Sequence, residues 1–192
     1  MANKVHLNFG SEMGLKVRTT RANRGNRARS GFSLIELLIV VAIILIIAAI
    51  AIPNMIRAKI SANEASAASS VRVITRAQVS YYAAYPDVGY ATSLTNLGGP
   101  ADNCQPTSTT ACLIDTMLAS GVKAGYDFQV TAVLPSGGVN TAFVVGASPV
   151  SFNQSGVRDF CATNDGVLRA QQGTGDPPVT DLTTCSSFTP IQ

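Results

Sequence analysis

The chain has few of the side chains that most enzymes use. Among its 192 residues there is one histidine, His6, which lies near the N-terminus. The sequence contains no nucleophile motif, no phosphate-binding glycine loop and no CxxC pair. The C-terminal aspartates are spread through turn-like segments, and Asp165, Asp176 and Asp181 lack the dense spacing of oxygen ligands that calcium loops show. We therefore expect a protein that is not an enzyme and has no catalytic residue, cofactor or metal site.

Charge is unevenly distributed along the chain. Residues 1–31 contain seven basic residues and one acidic residue, Glu12, whereas the rest of the chain contains seven basic and ten acidic residues. A basic segment beside an apolar one follows the positive-inside rule, which places residues 1–31 in the cytoplasm and the C-terminal part across the membrane. The arginines of this segment are not interleaved with aromatic residues, so nucleic acid is not expected as a partner of residues 1–31. We interpret residues 1–31 as a targeting leader that is removed, with Met1 or Met13 as its first residue.

A long apolar run follows the leader. From Phe32 to Ile52 the only charged residue is Glu36. At about 1.5 Å of rise per residue, a helix over this run would be roughly 31 Å long, close to the thickness of a bilayer's hydrocarbon core. Pro53 cannot donate a hydrogen bond to the Ala49 carbonyl, so we predict a helix kink near Pro53.

Glu36 needs an explanation, because a charge in the middle of a membrane span costs roughly 2.5–3.5 kcal/mol. One role is structural, since Ser33-Leu34-Ile35-Glu36 fits the capping box in which a glutamate binds an N–H group at the start of a helix. A second role is to pair with a cation of another molecule, and the two roles can coexist. A secretory signal cleaved after Ala51, in the small-x-small sequence Ala49-Ile50-Ala51, is an alternative, but the length of the run and the presence of Glu36 argue against it.

The residues Gly31-Phe32-Ser33-Leu34-Ile35-Glu36-Leu37-Leu38-Ile39-Val40 resemble the processing and assembly motif of type IV pilins and of the related pseudopilins of type II secretion. The resemblance implies that a prepilin peptidase cleaves between Gly31 and Phe32 and methylates the new N-terminal amine of Phe32. It also implies that Glu36 pairs with the N-terminal amine of a neighbouring subunit during assembly. The similarity extends to Pro53.

The resemblance implies a structural subunit of a type IV pilus that polymerises through its N-terminal helix and serves adhesion, twitching motility or DNA uptake. The partners it implies are identical or related pilin subunits, the prepilin peptidase, an inner-membrane assembly platform and, before assembly, membrane lipid. The precursor would cross the inner membrane once, with a periplasmic C-terminal domain, and the mature subunit would lie in a cell-surface pilus. Two alternatives stay open, a pseudopilin of type II secretion and a plain membrane-anchored or secreted binding domain. Leu45 stands where many members of the family have glycine, so no local unwinding of this helix is inferred.

Helical character resumes after Pro53. Between Asn54 and Tyr85 the chain has neither glycine nor proline, and the restricted residue before Pro86 ends the predicted helix. One face of this helix is expected to pack on the soluble domain, and the charged residues are expected to lie on the more polar surface of the helix. The packing residues recur at spacings of three and four and are Val71, Ile74, Gln78, Tyr81 and Tyr85. The charged residues are Arg57, Lys59, Glu64, Arg72 and Arg76.

The remaining residues predict a small antiparallel sheet. Residues 87–109 form a predicted loop, and a helix with Gly121 as its C-cap is predicted over residues 110–120. Short strand-like runs separated by turn residues follow, which indicates an antiparallel meander. The runs are 126–134, 141–147, 157–162 and 167–170, and the tail from Gln171 has little to pack. The predicted class is α+β, a long N-terminal helix that spans the membrane in its first half and packs on a small antiparallel sheet.

All four cysteines lie in the exported part, at Cys104, Cys112, Cys161 and Cys185. An even number of cysteines in an oxidising compartment predicts two disulfides, for which three pairings are possible. We favour Cys104–Cys112, which closes a small loop, and Cys161–Cys185, which would tie the tail to a strand. The expected organisation is a leader (1–31), a transmembrane and filament-core helix (32–52), an exported helix half (53–86) and a disulfide-stapled domain (87–192).

Overall fold

A computed structural model describes residues 31–133 and 137–191. Apart from Gly31, the predicted leader lies outside the described residues, as does the predicted end of one strand at residue 134. By its internal contacts the chain divides into two units, Met1–Ala42 and Ile43–Gln192. Helix α1, Leu34–Ala84, contributes residues to both units.

Helix α1 has 51 residues and continues through Pro53. Its end at Ala84 agrees with the prediction, because Tyr85 precedes Pro86 and the residue before a proline disfavours the helical conformation. At Pro53 the helix lacks one backbone N–H donor, which deprives the Ala49 carbonyl of its usual partner. The kink near Pro53 stays a prediction.

Six strands of the described residues form one sheet. They are β1 Val122–Lys123, β2 Tyr126–Val133, β3 Ala142–Pro149, β4 Arg158–Thr163, β5 Arg169–Gln172 and β6 Thr189–Pro190. Each strand pairs antiparallel with the next one along the chain, so the predicted meander is confirmed. The four predicted runs correspond to β2 to β5, whereas β1 and β6 are too short to carry a recognisable pattern.

The C-terminal part of α1 packs on one face of this sheet, as its spacing predicted. Val71, Ile74, Gln78 and Tyr81 are fully buried, and Tyr85 is half-buried against the same core. The α+β class, with a long helix packed on an antiparallel sheet, is therefore confirmed. The sheet contributes large side chains to this core, among them Tyr126, Phe128, Val130, Phe143 and Phe160.

Two polar side chains of the buried helix face hold the segment that follows the helix. Gln78 accepts a hydrogen bond from the Ala91 N–H and donates one to the Ala91 carbonyl, each at 2.9 Å. The Tyr81 hydroxyl donates to the Ser108 carbonyl at 2.5 Å. A buried polar group without a partner would cost about 1–3 kcal/mol, so these bonds are what allow a glutamine inside the core.

The predicted helix over residues 110–120 is wrong in its first half. Helix α3 comprises Thr116–Ala119 alone, with Asp115 as its N-cap. The Asp115 carboxylate accepts a hydrogen bond from the Leu118 N–H at 2.8 Å, and this bond and others lower the pKa of Asp115. The C-cap of α3 is Ser120, one residue before the predicted cap at Gly121.

Residues 111–113 are not helical because they pair with a short helix that the sequence did not predict. This helix, α2, comprises Leu94–Leu97 within the predicted loop, with Ser93 as its N-cap. The N–H groups of residues 111–113 donate to carbonyls of residues 96–98 at 2.7–2.9 Å. Cys112 has a φ of +58°, which a right-handed helix does not allow.

The tail after β5 also differs from its prediction, because it packs on the second face of the sheet. Helix α4, Leu182–Ser187, and the residue after it place Cys185 and Phe188 in a small core with Val144 and Cys161. Val179 approaches β3 so closely that a Cβ on Gly146 would lie 2.2 Å from the Val179 carbonyl oxygen. The middle strands β3 and β4 are consequently buried on both faces.

Both favoured disulfides, Cys104–Cys112 and Cys161–Cys185, are present. Cys161 and Cys185 are fully buried between β4 and α4. Cys104 and Cys112 are half-buried in a surface loop. The buried disulfide also joins residues 24 positions apart, compared with 8 for the other one.

Replacing Cys161 and Cys185 together by serine is expected to lower the free energy of unfolding more than replacing Cys104 and Cys112. Loss of a native disulfide from a small domain typically costs about 2–5 kcal/mol, and the longer loop gives the larger entropic effect. Two hydroxyl groups would also replace sulfur atoms in a closed apolar core. Thermal unfolding of the two double variants in detergent, followed by circular dichroism, measures the difference. Equal midpoints would contradict this prediction.

Asp159 is a buried carboxylate that forms no ion pair within the described residues. It lies in β4 with 8% of its surface exposed, and its Oδ1 has no hydrogen-bond partner within the described residues. Gly173 passes so close that an added Cβ would lie 2.8 Å from this oxygen. Burial and, to a smaller extent, the negative charge of Asp176 raise the pKa of Asp159 to about 6.

The raised pKa of Asp159 predicts a pH dependence of stability. Between the ordinary value of 3.8 and about 6, the folded unit binds a proton that the unfolded chain has released, so stability should fall as the pH rises through this window. Asp159→Asn should remove the fall and add on the order of 1–2 kcal/mol at neutral pH. Denaturant unfolding of the wild type, this variant and the exposed control Asp127→Asn, at pH values from 4 to 7, measures the effect. The idea fails if the Asp159 variant keeps the wild-type pH dependence.

Candidate functional site

Nothing in the described chain covers the apolar part of α1. Helix α1 contains a segment that is long and apolar enough to cross a membrane, and no residue of its most apolar window is buried. From Phe32 to Ile56 the large apolar side chains are between 46% and 84% exposed. The core helix of a soluble protein would bury such a surface, so lipid or other apolar helices are the suitable cover for this one.

The N-terminus of α1 brings together the residues of the proposed motif. Glu36 Oε2 accepts a hydrogen bond from the Ser33 backbone N–H at 3.2 Å, which is one of the two bonds of a capping box. The Leu37 N–H donates to the Ser33 carbonyl at 3.2 Å, so the helix begins directly after Ser33. Phe32, immediately before it, is 84% exposed. The capping bond considered from the sequence is therefore present.

This geometry leaves Glu36 able to bind a second partner. The Ser33 N–H uses Oε2, and a carboxylate offers about four acceptor positions on its two oxygens. The side chain is exposed and lies in the first turn of α1, where the positive end of the helix dipole stabilises a negative charge. A cationic amine can therefore bind Glu36 without loss of the cap.

A family model of the prokaryotic N-terminal methylation motif matches residues 26–52. The match extends from the leader through the apolar run and includes Gly31, Phe32 and Glu36. No curated protein and no solved structure matches the chain. The chain thus carries the leader signature of prepilins, shared by type IV pilins and pseudopilins. The motif implies processing by a prepilin peptidase and assembly into pilin-type polymers.

The three aspartates considered for calcium binding each form hydrogen bonds within their own turns. Asp165 accepts from the Arg169 guanidinium, which lowers the pKa of Asp165 to about 2. Asp181 caps α4, and bonds from neighbouring threonines lower its pKa to about 2 as well. Asp176 accepts from the Thr174 hydroxyl. Within residues 31–133 and 137–191, no three His, Cys, Asp or Glu side chains form a group that could hold a metal ion.

Glu64 is buried, so the prediction from its charge that it lies on a more polar surface of the helix is wrong. It is 5% exposed, and its Oε1 accepts from the Val157 N–H at 3.0 Å. Its Oε2 accepts from Nε and Nη2 of Arg158 at 2.8 and 2.7 Å. These bonds attach the connection between β3 and β4 to the helix. The helical spacing of the sequence could have indicated this burial, since Glu64 lies seven residues before Val71 on the same buried stripe.

Proposed function

We propose that the chain is a structural subunit of a type IV pilus, made as a membrane-anchored precursor and polymerised through its N-terminal helix. The observation that carries the proposal is a methylation motif at residues 26–52 joined to an apolar helix segment that nothing in the described chain covers. The motif supports a type IV pilin or a pseudopilin. We favour the pilin because a domain with two disulfides suits a filament exposed to an oxidising exterior.

The proposed precursor is anchored in the inner membrane by residues 32–52. Its basic leader lies in the cytoplasm, and the residues from Pro53 onward lie in the periplasm. The prepilin peptidase cleaves between Gly31 and Phe32 and methylates Phe32. At the assembly platform the apolar run then leaves lipid for a bundle of identical helices. Because lipid tails and apolar helix faces both exclude water, the run stays dry throughout this transfer.

Glu36 gives the proposed bundle a preferred register. A carboxylate buried among apolar helices needs a cationic partner, and cleavage of a neighbouring precursor supplies one in the amine of Phe32. Burial of the two charges together is tolerable, whereas either one alone is strongly unfavourable, so registers that bring them together are selected. Until then the Ser33 N–H provides Glu36 with a partner inside its own chain.

A pseudopilin of type II secretion is the second candidate, since the same motif match supports it. Every residue of the proposed site would have the same role in that protein. The two candidates differ in what the cell loses without the subunit, which is surface filaments for a pilin and secreted enzymes for a pseudopilin.

The mature protein from its native host is expected to begin at Phe32 and to carry one additional methyl group at its N-terminus. Its intact mass should also be reduced by two hydrogens for each of the two disulfides. Mass spectrometry of the intact protein and N-terminal sequencing measure both features. An N-terminus at Ile52 would instead show ordinary signal cleavage after Ala51, and a retained leader would show a plain membrane anchor. Either result would overturn the proposal.

Glu36→Ala and Glu36→Gln are expected to leave membrane insertion and cleavage intact and to lower the filament yield by about tenfold or more, since both remove the buried charge pair. Ser33→Ala is the matched control, because it changes the other residue of the capping box and keeps the carboxylate. Counting surface filaments measures the filament yield. Measuring secreted enzymes in the same strains distinguishes a pilin from a pseudopilin. A normal assembly readout in the Glu36 variants would exclude the proposed role of this residue.

A further inference from the structure

Charges of opposite sign are separated within the exported part of the chain. After Pro53, the exposed surface of α1 carries four basic residues, and none of them forms an ion pair within the described residues. The acidic residue of this helix segment, Glu64, is buried and held by Arg158. The exposed helix surface is therefore purely cationic, through Arg57, Lys59, Arg72 and Arg76.

The rest of the exported part has the opposite charge. Residues 85–191 contain eight aspartates and three basic residues. The three basic residues, Lys123, Arg158 and Arg169, each form an ion pair, so they leave no free positive charge. Five aspartates are exposed and outside any ion pair of the described chain, namely Asp87, Asp102, Asp127, Asp176 and Asp181.

The cationic and apolar features of α1 meet in one groove, which we call the arginine groove. It lies between α1 and the β4–β5 turn, has a volume of about 570 Å³ and is lined by Arg72, Arg76, Val79, Ala162, Gly166 and Leu168. Ala162 and Leu168 are buried, whereas Val79 is 56% exposed. The groove thus combines an apolar surface with two exposed guanidinium groups, a combination that fits a carboxylate flanked by apolar atoms.

The acidic residue of the β4–β5 turn, Asp165, does not pair with Arg72 or Arg76. Asp165 directly precedes Gly166 on the turn, but Arg169 binds it with two guanidinium nitrogens. Neither Arg72 nor Arg76 forms an ion pair within the described residues, so both are available to a carboxylate from outside the subunit.

We propose that the arginine groove binds an aspartate-bearing segment from residues 85–191 of a second copy of this chain. One copy supplies both halves of the contact, a cationic helix surface and an acidic domain surface, on different parts of the molecule. A contact between two different surfaces of identical subunits does not close on itself and can therefore repeat along a polymer. The inference rests on the proposed function in one respect, since a filament brings these copies side by side.

The contact is expected to orient the subunits more than to hold them together. Charged groups at the rim of an interface mainly steer association and exclude wrong arrangements. Since the guanidinium groups are exposed, added salt should also weaken the contact. Cohesion would come from the apolar run of α1.

The test places a photoreactive benzoylphenylalanine at Val79 in the full-length chain, expressed in its native host. Irradiation should give an adduct of two copies, in which the probe is joined to a peptide from residues 85–191. Arg72→Gln together with Arg76→Gln should lower the yield of this adduct about tenfold. The matched control, Gln129→Glu with Gln171→Glu, changes the net charge by the same amount at exposed strand positions and should leave the yield unchanged. Protease resistance and intact disulfides identify the folded variants.

The outcomes separate this inference from the proposed function. Filaments without an adduct of two copies would overturn the arginine-groove contact and leave the pilin proposal standing. An adduct of two copies in cells that form neither filaments nor a secretion system would support the contact and overturn the pilin proposal. An adduct with lipid or an unrelated protein, or a yield that the arginine substitutions do not change, would overturn the contact.

Discussion

The structure depends on how one helix covers its apolar surface. Up to Ile52, helix α1 is apolar on all sides, and the described chain supplies nothing to cover it. From Glu64 onward one stripe of the helix is buried in the core of the domain, as at Ile74 and Tyr81, whereas other positions such as Val79 are exposed. The same secondary structure therefore meets two different requirements. In one segment the sequence must be uniformly apolar, and in the other it must be amphipathic.

The polar residues of the buried stripe explain how a small domain with much irregular structure is held in place. Glu64, Gln78 and Tyr81 each bind backbone groups of segments outside the helix, at Val157, Ala91 and Ser108 respectively. Loops need partners for their backbone groups wherever they are buried. The helix supplies these partners on one side of the sheet, and on the other side the tail is fixed by the Cys161–Cys185 disulfide. Both faces of the central strands are thereby covered.

The sequence predicted the features that arise from strong local periodicity or from a motif. The helix after Pro53, its buried face, the antiparallel meander and the methylation motif belong to this group. Prediction from the sequence failed where a contact between residues distant in sequence determined the local conformation. Leu113 had helical spacing, but it pairs with α2, and the tail looked unable to pack because Val179 and Phe188 follow no period. Glu64 was misplaced because its charge was weighted above its position on the stripe, where Arg158 satisfies it.

In the proposed polymer, specificity must come from polar contacts, because the apolar run cannot supply it. Apolar helices packed among identical helices or lipid lose little packing energy when they slide past one another. Cohesion alone therefore leaves the register of the helices undefined. A carboxylate such as Glu36 changes this, because a shift that separates it from a cation leaves a buried charge unpaired. The exposed arginines of α1 would act on the exported part in a similar but weaker way, since solvent screens them. The buried contact of Glu36 and the exposed contact of the arginines would then fix the register and orientation of the subunits. The apolar surface would supply only their cohesion.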